Sequence, residues 1–177
     1  AAGGGLRSRP VLGGAVTLAA PAGYCIDPGD VMEAGDSAVG LIGRCAGGNA
    51  APAILTATVG GAGSGRGVAG SGEALAAFFA SAEGRAALSR TGEARTVTVN
   101  EALAAGDAFL IRLTDTGAVP PEGWRAVLAL RGRLVTLTVA GTPGAPLDAA
   151  AGRAILDRFL AAIRRANPAT ANPATAG

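Results

Sequence analysis

Between Trp124 and Arg165, two runs of alternating apolar and polar residues flank Arg131-Gly132 and lead into one long amphipathic stretch. A two-residue turn at Arg131-Gly132 pairs 130 with 133, 128 with 135, 126 with 137 and 124 with 139. Paired residues in an antiparallel ladder share a face. Trp124, Ala126, Leu128, Val135, Leu137 and Val139 therefore fall on one side, and Arg125, Thr136 and Thr138 on the other. Slipping the register by one residue would turn the second strand's apolar set toward water, so the pattern selects this pairing. Gly132 supplies the positive φ that such a turn needs, although Arg-Gly is a weaker turn signal than Asn-Gly.

Beyond the turn-rich Gly141 to Pro146, Asp148 stands where a helix N-cap belongs, able to accept from the first free amides. The spacing predicts a helix to about Ala166. Ile155, Leu156, Phe159, Leu160 and Ile163 recur every three or four residues as one apolar stripe, with Arg153, Asp157, Arg158, Arg164 and Arg165 on the remainder. Arg164 and Arg165 in the last turn suit the negative end of the helix dipole. The stripe reads as a core helix covering the sheet face.

Composition decides what chemistry is open to the chain. All 15 basic residues are Arg, and Lys, His and Gln do not occur among the 177 residues. A Ser-His-Asp triad, a His general base and a His-containing zinc site are thereby excluded, as are a Walker lysine and a lysine Schiff base. The formal net charge of +2 is small and scattered, with Arg164-Arg165 the one adjacent pair, which argues against a nucleic-acid partner. Aromatic residues make up only 3%, so a core of Ala, Val, Leu and Ile should lean on Trp124, Phe78, Phe79, Phe109 and Phe159. Truncating a buried one to Ala should cost about 3–5 kcal/mol.

Residues 1–10 are small, polar and unpatterned, and the chain starts at Ala1 without Met; we expect a processed, flexible N-terminus. Arg7-Ser8-Arg9 with Val11 to Ala20 also has the outline of a signal peptide ending at a lipidated Cys25. Against that outline, Gly13-Gly14 breaks the run, Val16 and Leu18 alternate as in a strand, and bulky Tyr24 precedes Cys25. Strands are expected at 16–20, at 37–45 with Val39, Leu41 and Cys45 on one face, and at 53–59 with Leu55, Ala57 and Val59 on one face. Asp27, Asp30, Glu33 and Asp36 recur at three-residue spacing, whereas calcium loops place ligands at alternate positions. That segment reads first as a solvated acidic loop and second as a candidate ligand loop. Cys25 and Cys45, the only cysteines, suit one disulfide stabilising the fold by about 3 kcal/mol, the alternative being two buried thiols.

Gly60 to Gly70 contains Gly65-x-Gly67-x-x-Gly70 between a strand and a helix, the setting of a dinucleotide fingerprint. The glycines are dense enough for a chance match, and the loop is longer than the motif's tight turn. Gly65, Arg66 and Gly67 thus form a second candidate ligand loop beside the plainer reading of a flexible connection. A helix follows from Ser71 to Arg90, with Leu75, Phe78, Phe79, Ala82 and Ala86 as its stripe. Strands return at 96–99 and 109–113, the latter with Phe109, Ile111 and Leu113 inward, and a loop with Pro120-Pro121 leads to Trp124. Asn-Pro-Ala-Thr occurs twice in 167–177, too few copies for an array, and reads as a disordered tail.

The order strands, helix, strands, hairpin, helix predicts an α+β fold in residues 11–166: a mostly antiparallel sheet covered by two helices, an αβα sandwich. That order, Val16 to Tyr24, and the Trp124 to Val139 hairpin leading into the 148–166 helix resemble the PsbP-like family, which includes the extrinsic photosystem II subunit, a Ran-binding import factor and many small exported bacterial proteins. Tyr24 stands where such proteins often carry Trp, and the cysteine pair does not map onto the family's pattern. The resemblance implies a fold used to bind or assemble other proteins, with no catalytic residues to carry over.

We therefore expect a non-enzymatic, exported protein-binding or assembly factor, periplasmic or secreted and not membrane-spanning, with no metal or cofactor. The alternative is a small-molecule or metal-binding domain, or a carboxylate-based hydrolase, working through the 27–36 or 60–70 loop.

Overall fold

The computed structural model describes residues 5–66, 72–89 and 91–168. In chain order they form β1 (Ser8–Val11), β2 (Val16–Ala19), β3 (Tyr24–Ala34), β4 (Ser37–Arg44), β5 (Ile54–Val59), α1 (Gly72–Ala80), α2 (Ala82–Leu88), β6 (Val97–Ala105), β7 (Ala108–Asp115), β8 (Glu122–Leu130), β9 (Arg133–Ala140) and α3 (Ala149–Ala166). Among the described residues β3 to β9 make one antiparallel sheet in the order β3-β4-β5-β9-β8-β7-β6, and β1 with β2 makes a separate ribbon. The protein is α+β, as its sequence predicts.

The β8–β9 hairpin has the expected register, pairing Trp124 with Val139, Ala126 with Leu137, Leu128 with Val135 and Leu130 with Arg133. Both turn residues are left-handed, Arg131 at φ 51° and Gly132 at φ 79°, which matches the twist of the flanking strands. Arg131 is held there by its guanidinium, which donates to the Ala15 carbonyl at 3.4 Å and the Pro168 carbonyl at 3.3 Å.

α3 covers one sheet face. Asp148 caps it, accepting from the Ala151 N–H at 2.7 Å, and Ile155, Leu156, Phe159, Leu160 and Ile163 are buried against the inward residues of β8 and β9. Gly152 permits the close approach, since a Cβ there would lie 2.8 Å from Trp124. Trp124 in turn donates from Nε1 to the Ala149 carbonyl at 3.0 Å. β1 and β2 close the rest of this face, placing Val11, Val16 and Leu18 in the same core.

Among the described residues the second face is covered only in part. Phe79 and Leu88 from α1 and α2 bury Val97, Phe109, Ile111, Leu113 and Val127. β7 is therefore buried on both faces, with Leu110 in one core and Ile111 in the other.

Several local expectations are corrected. Ser8, Arg9 and Pro10, expected within a flexible end, pair with β2, and Leu6 bridges Ile26. In β4 Val39 and Leu41 share a face as expected, but the strand ends at Arg44 before Cys45, and the buried face is the other one, with Ala38, Gly40 and Ile42. Leu18 decides this: a Cβ on Gly40 would sit 2.6 Å from its side chain, so Gly40 is the socket for a core leucine. The expected 71–90 helix is two helices that meet at Ser81, whose extended backbone (ψ 163°) ends α1 while its Oγ caps α2 through the Gly84 N–H at 3.1 Å. Gly84 is needed at the crossing because a Cβ would lie 1.9 Å from the Phe78 carbonyl oxygen. Phe78, expected in the stripe, is 43% exposed.

The C-terminal boundary also moves. Asn167, expected in a disordered tail, is buried beside α3 and bonds to β2 like another strand residue. Its amide accepts from the Thr17 N–H and donates to the Thr17 carbonyl, both at 2.7 Å, and donates to the Ile163 carbonyl at 2.9 Å. The second Asn-Pro-Ala-Thr copy lies outside the described residues.

Candidate functional site

The sequence-derived ligand loops turn out to be parts of one structural joint. Asp27 to Asp36 is not a loop: most of it belongs to edge strand β3, whose pairing with β4 is interrupted between Ile26 and Val31. Asp27 accepts from the Gly29 N–H at 2.9 Å, and Glu33 accepts from the Leu12 N–H. Asp36 accepts from the Ala62 N–H and from Arg133, each at 2.8 Å. Those bonds, the backbone one foremost, hold the Asp36 carboxyl below the ordinary carboxylate range. Asp30 joins none of these bonds, and among the described residues no three His, Cys, Asp or Glu side chains gather as a metal site.

Asp36 brings the acidic segment and the glycine loop together. Arg133, at an inward position of β9, is buried because it donates to the Asp36 and Gly60 carbonyls at 2.8 and 3.0 Å as well as to the Asp36 carboxylate. The amides that a phosphate would need are already donating: Gly60 to Leu134, Ala62 to Asp36, Ser64 to Gly61, Gly65 to Gly132 and Arg66 to Gly63. Gly65 is buried against the Arg133 backbone, and Arg66 is exposed. Among the described residues of the loop, 60–66, these five amides are therefore not available as a phosphate cradle. Gly67 lies outside the described residues. Cys25 and Cys45 form a disulfide, which fits an oxidising compartment.

The site that the structure does offer is on the half-covered face. Cross-strand registers align its outward residues in rows: Leu41, Thr56, Thr138, Arg125 and Ile111 in one, and Met32, Val39, Thr58, Thr136, Val127 and Phe109 in the next. α1 and α2 sit over the Phe109 end and leave the threonine end open. Two connected hollows result. One, of about 390 Å³, has Thr56, Thr58, Thr136, Thr138 and Arg125 on its floor and Leu88, Ser89 and Val119 to Pro121 as its wall. The other, of about 520 Å³, is apolar and lies between Leu75, Phe78, Phe79, Val127 and Leu134. Ala87, Leu88 and Thr136 line both, so the two form one cleft.

Arg125 is the cation of that floor. Its Nη1 donates to the Trp124 carbonyl at 3.2 Å, and Gly123 makes room for it, since a Cβ there would lie 3.2 Å from Nη1. Burial lowers its pKa from the ordinary arginine value, opposed by Asp115. Asp115 is itself buried, with Oδ1 accepting from the Gly117 N–H at 2.9 Å. Glu122, at the cleft's end, shares Trp124's side of β8 by alternation.

A separate hollow of about 530 Å³ beneath the start of α3 is floored by Trp124. Of its charged members, Asp148 is the helix cap and Arg112 pairs with Glu101 at 3.4 Å, while Glu122 lines this hollow as well as the cleft.

Arg125, Thr136 and Thr138 were legible as one face of the hairpin, but not as a cleft. The signal that was present is a run of threonines at outward positions of two strands with a single arginine among them. No protein-family model, curated protein or solved structure matches the chain.

Proposed function

We propose that this is a non-enzymatic, exported binding protein, working in the periplasm or outside the cell, whose ligand is a small molecule held in the cleft on the half-covered sheet face. The observation that carries the reading is that cleft: a concave site of ordinary ligand size, mostly apolar, with a few hydrogen-bonding groups gathered at one end. The disulfide and the lack, among the described residues, of a helix long and apolar enough to cross a membrane support export without a helical span. The chain's lack of Lys and His supports binding over catalysis. This moves the small-molecule alternative from the 27–36 and 60–70 loops to the open face.

The test is a thermal unfolding screen of the native chain against small molecules, repeated on Thr138→Phe, which fills the floor. A ligand at a hundred times its dissociation constant should add about 2.7 kcal/mol. Stabilisation that disappears in Thr138→Phe supports the reading, and stabilisation retained in that variant places the ligand elsewhere.

A protein partner is the second reading, in line with the resemblance to PsbP-like proteins. It is favoured by Met32 and Leu41, exposed hydrophobic residues on the same sheet face beyond the cleft, with exposed Ile54 at the cleft's edge. A photo-crosslinking residue at Leu41 should then capture one protein that the same residue at Asp157, on exposed α3 surface, does not.

A further inference from the structure

We infer that the cleft binds an anionic amphiphile: a monocarboxylate with an unbranched hydrocarbon chain, its head on Arg125 and the threonine hydroxyls and its chain in the apolar arm. The inference deepens the small-molecule reading and rests on it.

The two halves of the cleft differ in chemistry in the way an amphiphile does. At the head end, Arg125 sits between Thr138 on β9 and Ile111 on β7, and Thr56 continues the row beyond Thr138. Arginine presents a planar fork of donors that matches a carboxylate in two bonds, and threonine hydroxyls can donate to the same oxygens. Among the described residues Arg125 has one hydrogen bond, to a backbone carbonyl, and it lines the cleft.

Two carboxylates also line the polar hollow, and among the described residues neither bonds to Arg125: Asp115 is 1% exposed with Oδ1 on the Gly117 N–H, and Glu122 lies at the cleft's end on Trp124's side of the strand by alternation. At the tail end, Leu75, Phe78, Val127 and Leu134 offer no hydrogen-bonding side chain. Phe78 is 43% exposed, and a chain lying along it would cover that ring. A small polar ligand would leave this arm unfilled, and a neutral hydrocarbon would make no hydrogen bond to Arg125 or the threonine hydroxyls.

The experiment is isothermal titration of the full native chain with decanoate below its micelle concentration, beside decanol, acetate and decyltrimethylammonium. Decanoate should bind, and decanol and acetate each at least about ten-fold more weakly, the factor expected for losing one charge-assisted contact or the apolar contact. Arg125→Met should weaken decanoate by about ten-fold or more and leave decanol unchanged. Phe78→Ser should weaken both. Should Arg125→Met fail to fold, Thr138→Val with Thr56→Val tests the same head site and should weaken decanoate selectively.

Decyltrimethylammonium binding as tightly as decanoate would overturn the inference, as would decanoate affinity indifferent to the head-site variants. If decanoate is inert while another small molecule stabilises the native chain and not Thr138→Phe, the amphiphile is wrong and the binding cleft stands. Should neither bind, both readings fall.

Discussion

The two faces of the sheet are built from similar strands and end up in different states. On one, α3 lays a single apolar stripe along β8 and β9, and the β1–β2 ribbon closes the remainder, so core residues reach from Val11 to Ile163. On the other, among the described residues, α1 and α2 cover β6, β7, the near side of β8 and Leu134 of β9, and outward Leu41 of β4 and Ile54 of β5 stay exposed. The difference lies in the helices. α3 separates its apolar residues from its arginines, so one orientation is far better than any other. α1 and α2 are short and rich in alanine, without a charged back opposite a broad stripe, and they break at Ser81. A weakly directional cover that leaves half a face open is what provides a cleft.

The sharpest way to break this contrast is to truncate the packed face. Phe159 is fully buried, and Phe159→Ala should destabilise the protein by about 3–5 kcal/mol in urea unfolding. A loss of under about 1 kcal/mol would show that α3 is no more tightly seated than α1–α2.

Asn167→Ala should cost about 1–3 kcal/mol, because it strands the Thr17 amide and carbonyl beside the end of α3. Fraying of β2 in hydrogen exchange would report the same event locally.

Gly84→Ala probes the other side. Its Cβ collides with the Phe78 carbonyl, so the α1–α2 crossing must open, at about 1–3 kcal/mol. Amides of α1, α2 and β6 should exchange faster while those of α3 keep their protection. Uniform acceleration would mean that the two faces unfold as one unit and the contrast is only geometric.

Phe78→Ala, on the half-covered face, should fall within about 1 kcal/mol of the parent. A larger cost would assign this ring to the core rather than to the cleft.

The smallest effect is limited to acid. Asp36 has its folded pKa lowered by the Ala62 amide and then by Arg133, so its contribution is present above the unfolded carboxylate value of about 3.9 and is lost as pH falls through the lower folded value. Asp36→Asn should flatten the fall in urea midpoint from about pH 5 downward. An unchanged profile would show that Arg133 is held by the Asp36 and Gly60 carbonyls alone.

The hairpin register, the cap at Asp148 and the buried stripe of α3 were legible because each depends on neighbours close in sequence: a two-residue turn, a side chain three residues from its amide, a period of 3.6. The α+β class followed from the order of those elements, and the excluded chemistries from residue types alone. The pairing of Cys25 with Cys45 was readable only as a preference until β3 and β4 brought them together.

What tertiary structure decided rests on partners far apart in the chain. Alternation in β4 could not say which parity faces the core, since Val39 and Leu41 are as apolar as Ile42; Leu18 packing into Gly40 settled it. An inward Arg133 made sense only once Asp36 lay beside it, and Asn167 left the tail only because Thr17 was there to meet it. The cleft belongs to the same class. Thr56, Thr138 and Arg125 come from three strands, and their row exists because β9 runs between β5 and β8, an order set by which apolar faces pack together and not by any local run of residues.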